Sequence, residues 1–343
     1  MPGPSAPGGK EPEMATEKQQ KFYDDVKAGH RAEVVDAVLR TISEADAGGL
    51  DWSRSWDIEA LRPQNPVTGT RYRGINRLYL ARVAARESYS DPRWMTFNQA
   101  KACGCSVRKG SRGAYVEKWG LRTATRKPTD EQKEKIERGL MSERDLRFSY
   151  VALQGVYRVF NGECIEGLEP YAPAAAGPSE IYGICDGLVR TTGADVREVA
   201  SERAYYSPGS DRVVVPLRGT FDTPESFGST LLHELGHWSG HASRLDRDLC
   251  NPFGSEEYAV EELRAELASV MMQSELGFAS FGRCAEDEFR NACAYLRSWA
   301  SHAPDEDVER AILAAVGDAS EICDYLVGPY LGALGEQAGG EAA

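Results

Sequence analysis

The sequence has no run approaching the roughly 20 consecutive apolar residues that a helix needs to span a bilayer. Its opening stretch, MPGPSAPGGKEPEMATEKQQ, also lacks the basic flank and apolar core of a secretory signal. Both absences argue against a membrane protein and against an exported one. We therefore expect no membrane partner, a cytoplasmic location and a disordered leader over residues 1–16.

Paired cysteines are missing as well. The eight cysteines form no CxxC motif and show no spacing typical of a small disulfide-linked scaffold. Only Cys103 and Cys105 lie close together in the sequence, and a lone CxC motif is weak evidence for a metal site. The pattern predicts reduced thiols, which agrees with a cytoplasmic protein.

Basic residues are outnumbered overall but are concentrated in one block. The chain has 40 Lys and Arg against 53 Asp and Glu, and its net charge is −13. Between Asp51 and Lys127, however, sixteen Lys and Arg stand against six Asp and Glu, which gives this block a net charge of +10 and leaves −23 for the rest. Such a distribution indicates one domain that meets an anionic polymer and another that does not.

The length of 343 residues suits two domains, each with its own core. An Ala/Pro/Gly tract at 171–178 is the clearest linker. We predict a small basic nucleic-acid-binding domain over 17–170, with a charged surface insertion at about 126–147, and a second domain over 179–328, followed by a flexible tail at 329–343. Short strands followed by helices in the second half predict an α+β fold.

The strongest motif is HELGH at 233–237, an HExxH sequence. On a helix, histidines at i and i+4 project from one face, so His233 and His237 can reach one metal ion with Glu234 beside it. Thr223 is suited to cap this helix and Gly240 to end it. The motif predicts one bound metal ion, and zinc is the ion that it favours.

A two-histidine site needs a third protein ligand, and the next predicted helix offers three glutamates within EELRAE. Glu262 and Glu266 lie one turn apart on one face. We assign Glu262 as the ligand and Glu266 as an outer residue that hydrogen-bonds a ligand histidine. Glu266 could itself reach the ion, so the choice between the two stays open. Glu261 is interpreted as part of a solvated acidic face.

His241 is a rival third ligand. The metzincin pattern HExxHxxGxxH would place that ligand at position 243, where this chain has Ser. We therefore assign His241 a structural or outer role, and the predicted site resembles that of a gluzincin.

Zinc with one open position would acidify water and polarise a carbonyl, with Glu234 as the general base, which is the chemistry of peptide-bond hydrolysis. Strand Arg212–Pro216 would offer an edge for an extended substrate. Tyr205, Tyr206 and Tyr258 are candidates for stabilising the oxyanion.

Aromatic and cationic residues alternate with turn formers in the basic block. Single-stranded nucleic acid is bound where bases stack on exposed rings and Lys or Arg meets phosphate. The candidate contacts are Arg71, Tyr72, Arg73, Asn76, Trp94, Arg108 and Lys109. The alternative is that Tyr72, Trp94 and Phe97 are core residues of a small domain and that the arginines are ordinary solvated charges.

These motifs together resemble ArdC-type antirestriction proteins. The strings NPVTGTRYRGIN, DPRWMTFNQA, VRKG and VFN look like the N-terminal single-stranded-DNA-binding domain of that family. AYYSPGSDRVVVP, HELGHWSGHASRLDRDL and YAVEELRAELAS look like its C-terminal zincin-like metallopeptidase domain. The resemblance covers roughly residues 17 to 325.

The resemblance implies a plasmid or phage protein that binds single-stranded DNA and protects incoming DNA from restriction, with His233, Glu234 and His237 as its metal-binding and catalytic residues. A DNA-associated protein is then a possible peptide substrate. The alternative function is a binding protein that coats DNA and whose zinc site is structural and does not hydrolyse anything.

Overall fold

The computed structural model describes residues 16–44, 57–172, 177–252, 255–278, 280–282 and 287–340. The predicted leader lies outside these residues apart from Thr16, and so does the centre of the predicted linker, 173–176. Within the described ranges, no helix has both the length and the apolar character required to cross a bilayer.

The described chain contains both helices and strands, which confirms the predicted α+β fold. The helices are α1 (Glu17–Ser43), α2 (Ile75–Glu87), α3 (Phe97–Ala102), α4 (Asp130–Glu137), α5 (Pro178–Thr192), α6 (Pro224–Ser239), α7 (Glu256–Glu275), α8 (Asp287–Ala300) and α9 (Asp305–Gly340). The strands are β1 (Trp94–Thr96), β2 (Ser106–Val107), β3 (Ala114–Thr125), β4 (Arg147–Asn161), β5 (Ile165–Glu166), β6 (Asp195–Val199), β7 (Tyr205–Ser207) and β8 (Arg212–Pro216).

The chain divides into two compact units. The first consists of Met1–Gly29 and Tyr115–Tyr157, and the second of His30–Ala114 and Arg158–Ala343. Much of the basic block therefore belongs to the same unit as the HExxH motif.

Strands β3 and β4 are neighbours in a three-stranded sheet and form the larger part of the first unit. The charged insertion between them contains α4, which buries none of its residues. Thr129 starts α4 by accepting a hydrogen bond from the backbone N–H of Gln132, and the Gln132 side chain completes a reciprocal capping box. This segment is a solvated helix, as its composition predicts.

In the second unit, β4 continues into an antiparallel pairing with β1, in which Trp94 lies opposite Asn161. Next to this pair is a small apolar cluster that includes Met95, Ala100 and Phe160. The short strands β2 and β5 also pair antiparallel, with Val107 opposite Ile165. Residues far apart in the sequence thus share one small core.

The sheet near the HExxH helix has the strand order β6-β8-β7. Strand β8 pairs in parallel with β6 and antiparallel with β7. It is therefore the central strand, and the prediction that Arg212–Pro216 is a sheet edge is wrong. Both sides of β8 are already hydrogen-bonded, and its buried run Val213 to Pro216 is typical of a central strand. The edge strands are β6 and β7.

Helices α6 and α7 approach each other closely at Gly236, the fourth residue of the HExxH motif. A Cβ atom at this position would lie 3.2 Å from the Cα atom of Ala265. The absence of a side chain at Gly236 lets the backbone of α7 come near the two histidines of α6.

Helix α9 includes most of the predicted tail. It passes through Pro329 and ends at Gly340, so the predicted flexible tail at 329–343 is helical as far as residue 340. The tail sequence LGALGEQA is rich in Leu, Ala, Glu and Gln, which favour helix and outweigh its glycines.

Candidate metal centre and nucleic-acid interface

The HExxH motif lies in the second half of α6, whose ends are formed as the sequence predicts. The Thr223 side chain accepts a hydrogen bond from the backbone N–H of Ser226, Pro224 occupies the first turn, and Gly240 is the C-cap. The apolar residues Phe227, Leu231, Leu235 and Trp238 are all buried. This packing fixes the position of the helix and places the motif at the edge of a cleft.

Three side chains converge on one point. The Nε2 atoms of His233 and His237 are 3.2 Å apart. The carboxylate of Glu262 reaches both rings, at 3.4 Å from Nε2 of His233 and 3.6 Å from Nε2 of His237. Ligand atoms at about 2.0–2.2 Å from a tetrahedral ion lie about 3.3–3.6 Å from one another. The donor set and its spacing therefore fit a metal ion.

Each imidazole also contacts a second carboxylate through its other ring nitrogen, Nδ1. Nδ1 of His233 lies 3.2 Å from Glu266, and Nδ1 of His237 lies 3.3 Å from Glu261. An Nδ1–H group that donates to a carboxylate leaves the Nε2 lone pair free to bind a cation. The two contacts thus orient both rings toward the same point.

The position of Glu261 corrects the interpretation of this residue as part of a solvated acidic face. Glu261 is 5% exposed. Its burial is possible because Arg247 donates to both carboxylate oxygens, at 2.9 and 3.2 Å. Arg247 also donates to the backbone oxygen of Gly236, at 2.7 Å. The partner of Glu261 comes from the loop after α6, so the residue pattern of α7 alone could not reveal it.

The electrostatics of the cluster favour ionised carboxylates. Burial disfavours the charged form of His237, but Glu262 and Glu261 outweigh it and raise the pKa of this imidazole to about 10. Burial also opposes ionisation of Glu262, yet both histidines hold the pKa of its carboxyl group well below the usual range. Burial opposes ionisation of Glu261 as well, yet His237 and Arg247 lower the pKa of its carboxyl group. Ionised carboxylates are the form that binds cations, and a bound cation would take the place of the proton on Nε2 of His237.

A cleft of about 150 Å³ opens onto the three converging side chains, and Glu234 lines it. Tyr205 and Tyr206 of edge strand β7 also line the cleft, as does Tyr258 of α7. The Tyr206 hydroxyl already donates to Asp211 at 2.9 Å. Burial and this hydrogen bond raise the pKa of Tyr206 to about 12. Tyr205 is 47% exposed and is the more accessible of the two tyrosines on β7.

His241 is absent from the converging group, which among the described residues consists of His233, His237 and Glu262. Its Nδ1 atom instead contacts the Ser243 hydroxyl, at 2.8 Å. The helix ends at Gly240 before it can present His241 to the same point.

Two arginines predicted to contact DNA form ion pairs with the C-terminal helices. Arg71 pairs with Glu275 of α7, which also pairs with Arg77, and Arg73 lies 3.2 Å from Asp324 of α9. Arg71 is therefore held by a buried carboxylate. The Arg73 side chain remains 65% exposed.

Three of the other predicted DNA contacts are wholly or partly enclosed. Trp94 is 1% exposed and Asn76 is 8% exposed, which corrects the expectation that they meet bases. The Tyr72 hydroxyl donates to the backbone oxygen of Trp94, at 3.3 Å. These residues support the core, as the alternative interpretation holds for Tyr72 and Trp94, whereas Phe97 is 54% exposed and is not a core residue. Arg108 and Lys109, in contrast, are exposed.

Two family models match the chain. Residues 29–160 match the N-terminal domain of the anti-restriction factor ArdC, and residues 184–318 match a zincin-like metallopeptidase domain. The crystal structure of the antirestriction ArdC protein from plasmid R388 is 30% identical to this chain in its metal-free form, with a TM-score of 0.58, and the match covers 87% of this chain and 97% of that one. The chain belongs to the ArdC family.

The Mn(II)-bound structure of R388 ArdC matches almost equally well, with a TM-score of 0.57. A DNA primase TraC of Escherichia coli is 38% identical over 298 residues, which is 84% of this chain but 19% of the primase. The chain thus spans about a fifth of that relative. Protein y4eC of Sinorhizobium fredii is 31% identical over 91% of this chain and 95% of its own length. Together these comparisons confirm the resemblance drawn from the sequence motifs.

Proposed function

We propose that this protein is a metal-dependent, single-stranded-DNA-binding antirestriction protein that protects plasmid or phage DNA, with a peptidase site at the HExxH helix. The observation that carries the proposal is the convergence of His233, His237 and Glu262 at ligand spacing beside Glu234. A cytoplasmic location follows from a role in defending incoming DNA.

One zinc ion is the proposed occupant, held by His233, His237 and Glu262. Two imidazoles and one carboxylate are the ligand set of peptidase zinc sites that keep an open position. Such an ion, when bound, acts as a Lewis acid on a carbonyl and acidifies water. R388 ArdC, a member of the same family, has a crystal structure with Mn(II) bound, so the family is not restricted to zinc.

Glu234 is the proposed general base. It lies on the same helix as both ligand histidines, is 2% exposed and lines the cleft. A carboxylate in this position takes the proton from the water that attacks a peptide carbonyl and returns it to the leaving amine. The free edge of β7 borders the same cleft, so an extended peptide can pair with it through main-chain hydrogen bonds. Tyr205 and Tyr258 are the proposed oxyanion donors.

The DNA-binding part of the proposal rests on the family match over residues 29–160 and on the net charge of +10 between Asp51 and Lys127. A DNA-associated protein is the proposed peptide substrate, because binding to DNA would bring such a protein to the cleft.

Metal content and oligonucleotide binding, measured on the full chain, test the first two parts of the proposal. We expect one zinc ion per chain by plasma mass spectrometry and none after His233→Ala. Retention of a fluorescent single-stranded oligonucleotide should fall steeply as salt rises, since phosphate contacts release counterions. A flat response to salt would instead favour a metalloprotein without a nucleic-acid role.

Glu261 and Arg247 should matter for metal affinity although neither is a proposed ligand. We expect Glu261→Gln to weaken zinc binding by about 10- to 100-fold, because the amide holds the His237 ring less firmly and leaves Arg247 without its charge partner. Competition with a chromophoric chelator measures the effect.

The matched control is Glu257→Gln, which makes the same change at an exposed position on the same helix. It should bind zinc like the unaltered protein. Equal affinities for the two variants would mean that Glu261 does not position His237.

A further inference from the structure

Strands β3 and β4 present two different faces, and two contacts identify the residues that share one of them. A Cβ atom at Gly120 would meet the Gln154 side chain, and the Arg126 guanidinium lies 4.8 Å from the centre of the Phe148 ring. Because side chains alternate along a strand, the even-numbered residues of both strands lie on this face. We call it the even face.

The even face combines cations, rings and small residues, without any acid. Its exposed and half-exposed members include Lys118, Arg122, Arg126, Phe148 and Tyr150. Every even-numbered residue of β3 and β4 is apolar, small, amide-bearing or cationic, and none is Asp or Glu. Lys118, Arg122 and Arg126 have no carboxylate partner within the described residues. Among the described residues, therefore, no carboxylate neutralises the positive charge of these three cations.

The opposite face has a different character. It carries Glu117, whose carboxylate accepts a hydrogen bond from the Trp119 indole at 2.9 Å. The first turns of α1 lie over it, where Phe22 packs edge-to-face on Tyr115 and the Lys27 ammonium lies 5.8 Å from the Trp119 ring. Two of its large side chains are thus engaged within the unit. On the even face, the even-numbered residues from Lys118 to Arg126 and from Phe148 to Gln154 are exposed or half-exposed.

We propose that the even face is the surface on which single-stranded DNA lies. Bases stack on the rings of Phe148 and Tyr150, and phosphates pair with Arg122, Arg126 and Lys118. Tyr150 is 42% exposed and Phe148 lies beside it, with ring centres 5.8 Å apart. Rings in this position can reach bases that are not already stacked in a duplex, which selects single strands.

This assignment rests on the proposed DNA-binding function. It places the DNA contacts on β3 and β4 and not at Arg71 and Arg73. The cations of the even face extend from Lys118 to Arg126, eight residues or about 27 Å along a strand, enough for several nucleotides. Arg71 and Arg73, by contrast, are paired with Glu275 and Asp324. The even face offers cations without a carboxylate partner next to the exposed ring of Tyr150, which those two arginines do not.

The test measures the affinity of the full chain for a fluorescent single-stranded oligonucleotide across a salt series. We expect the double variant Arg122→Gln/Arg126→Gln to reduce the slope of log affinity against log salt by about 1.4, because each phosphate contact to a single strand contributes about 0.7. Tyr150→Ala should weaken binding by about tenfold or more through the loss of one stacked base.

Arg147→Gln is the matched control, because Arg147 is an exposed residue of the same strand at an odd-numbered position. It removes the same charge from the opposite face and should leave the slope unchanged. Arg122→Lys/Arg126→Lys keeps both charges and should retain the original slope. It thereby separates the loss of charge in the glutamine variant from a loss of folding.

Three results would overturn the assignment while leaving DNA binding by the chain intact. They are an unchanged slope in the double glutamine variant, an equal loss in Arg147→Gln, and competition by duplex DNA as effective as that by the single strand. A failure of the unaltered protein to retain the oligonucleotide at low salt would instead overturn the proposed DNA-binding function itself.

Discussion

A Glu234→Gln variant is expected to lose about 10²- to 10⁴-fold in the rate of peptide hydrolysis, the typical contribution of a positioned general base. The amide has nearly the same shape as the carboxylate but cannot accept the proton, so zinc content and oligonucleotide affinity should stay unchanged. Hydrolysis can be followed on a fluorescently labelled, denatured protein. Protection of plasmid DNA can be followed by transformation of a restricting host.

Glu225→Gln is the matched control, because it makes the same change in the first turn of the same helix. It should behave like the unaltered protein in both assays. If Glu234→Gln protects DNA as well as the unaltered protein does, the antirestriction activity does not depend on hydrolysis. The protein would then act by coating DNA, and its metal centre would be structural.

Replacement of Glu275 by Ala should lower the free energy of unfolding by about 3–5 kcal/mol, as when one partner of a buried ion pair is removed. Glu275 is 7% exposed and is the carboxylate partner of both Arg77 and Arg71. Arg77 is itself 1% exposed, and its Nε atom has no hydrogen-bond partner among the described residues. The variant would leave a buried guanidinium without a counter-charge.

Urea-induced unfolding, followed by circular dichroism, measures this loss. The control Glu321→Ala removes an exposed carboxylate from α9 and should change the free energy of unfolding by less than about 0.5 kcal/mol. The double variant Glu275→Leu/Arg77→Met should recover much of the loss, because it replaces the ion pair with apolar side chains. A loss below about 1 kcal/mol in Glu275→Ala would show that water reaches Arg77 after the substitution.

The features of the metal centre that depend on local sequence are the ones that sequence analysis could reach. The spacing of His233 and His237, the Thr223 cap and the stop at Gly240 all act within one helix, and the helix has the predicted bounds. The burial of Glu261 escapes such an analysis because it depends on Arg247, fourteen residues earlier and outside its own helix. Whether a charged side chain is buried depends on its partner, and the residue pattern of one helix does not identify that partner.

Long-range pairing explains the other departures from expectation. The central position of β8 depends on β6 and β7 lying on either side of it. Arg71 is expected from sequence to be open to phosphate, but its partner Glu275 lies about two hundred positions away along the chain. The even face of β3 and β4 becomes visible only once the two strands are known to be neighbours. Composition identifies the basic block but does not say which of its cations are neutralised.

Helix α7 carries Glu262 near its beginning and Glu275 at its last residue, about 20 Å further along the helix axis. The first residue completes the group around the histidines, and the second neutralises arginines that come from the N-terminal half of the chain. A gene that inherited only the C-terminal half would encode a helix whose final carboxylate had lost both of its cations. We therefore expect natural gene fusions and gene exchanges to carry the two halves of the coding sequence together.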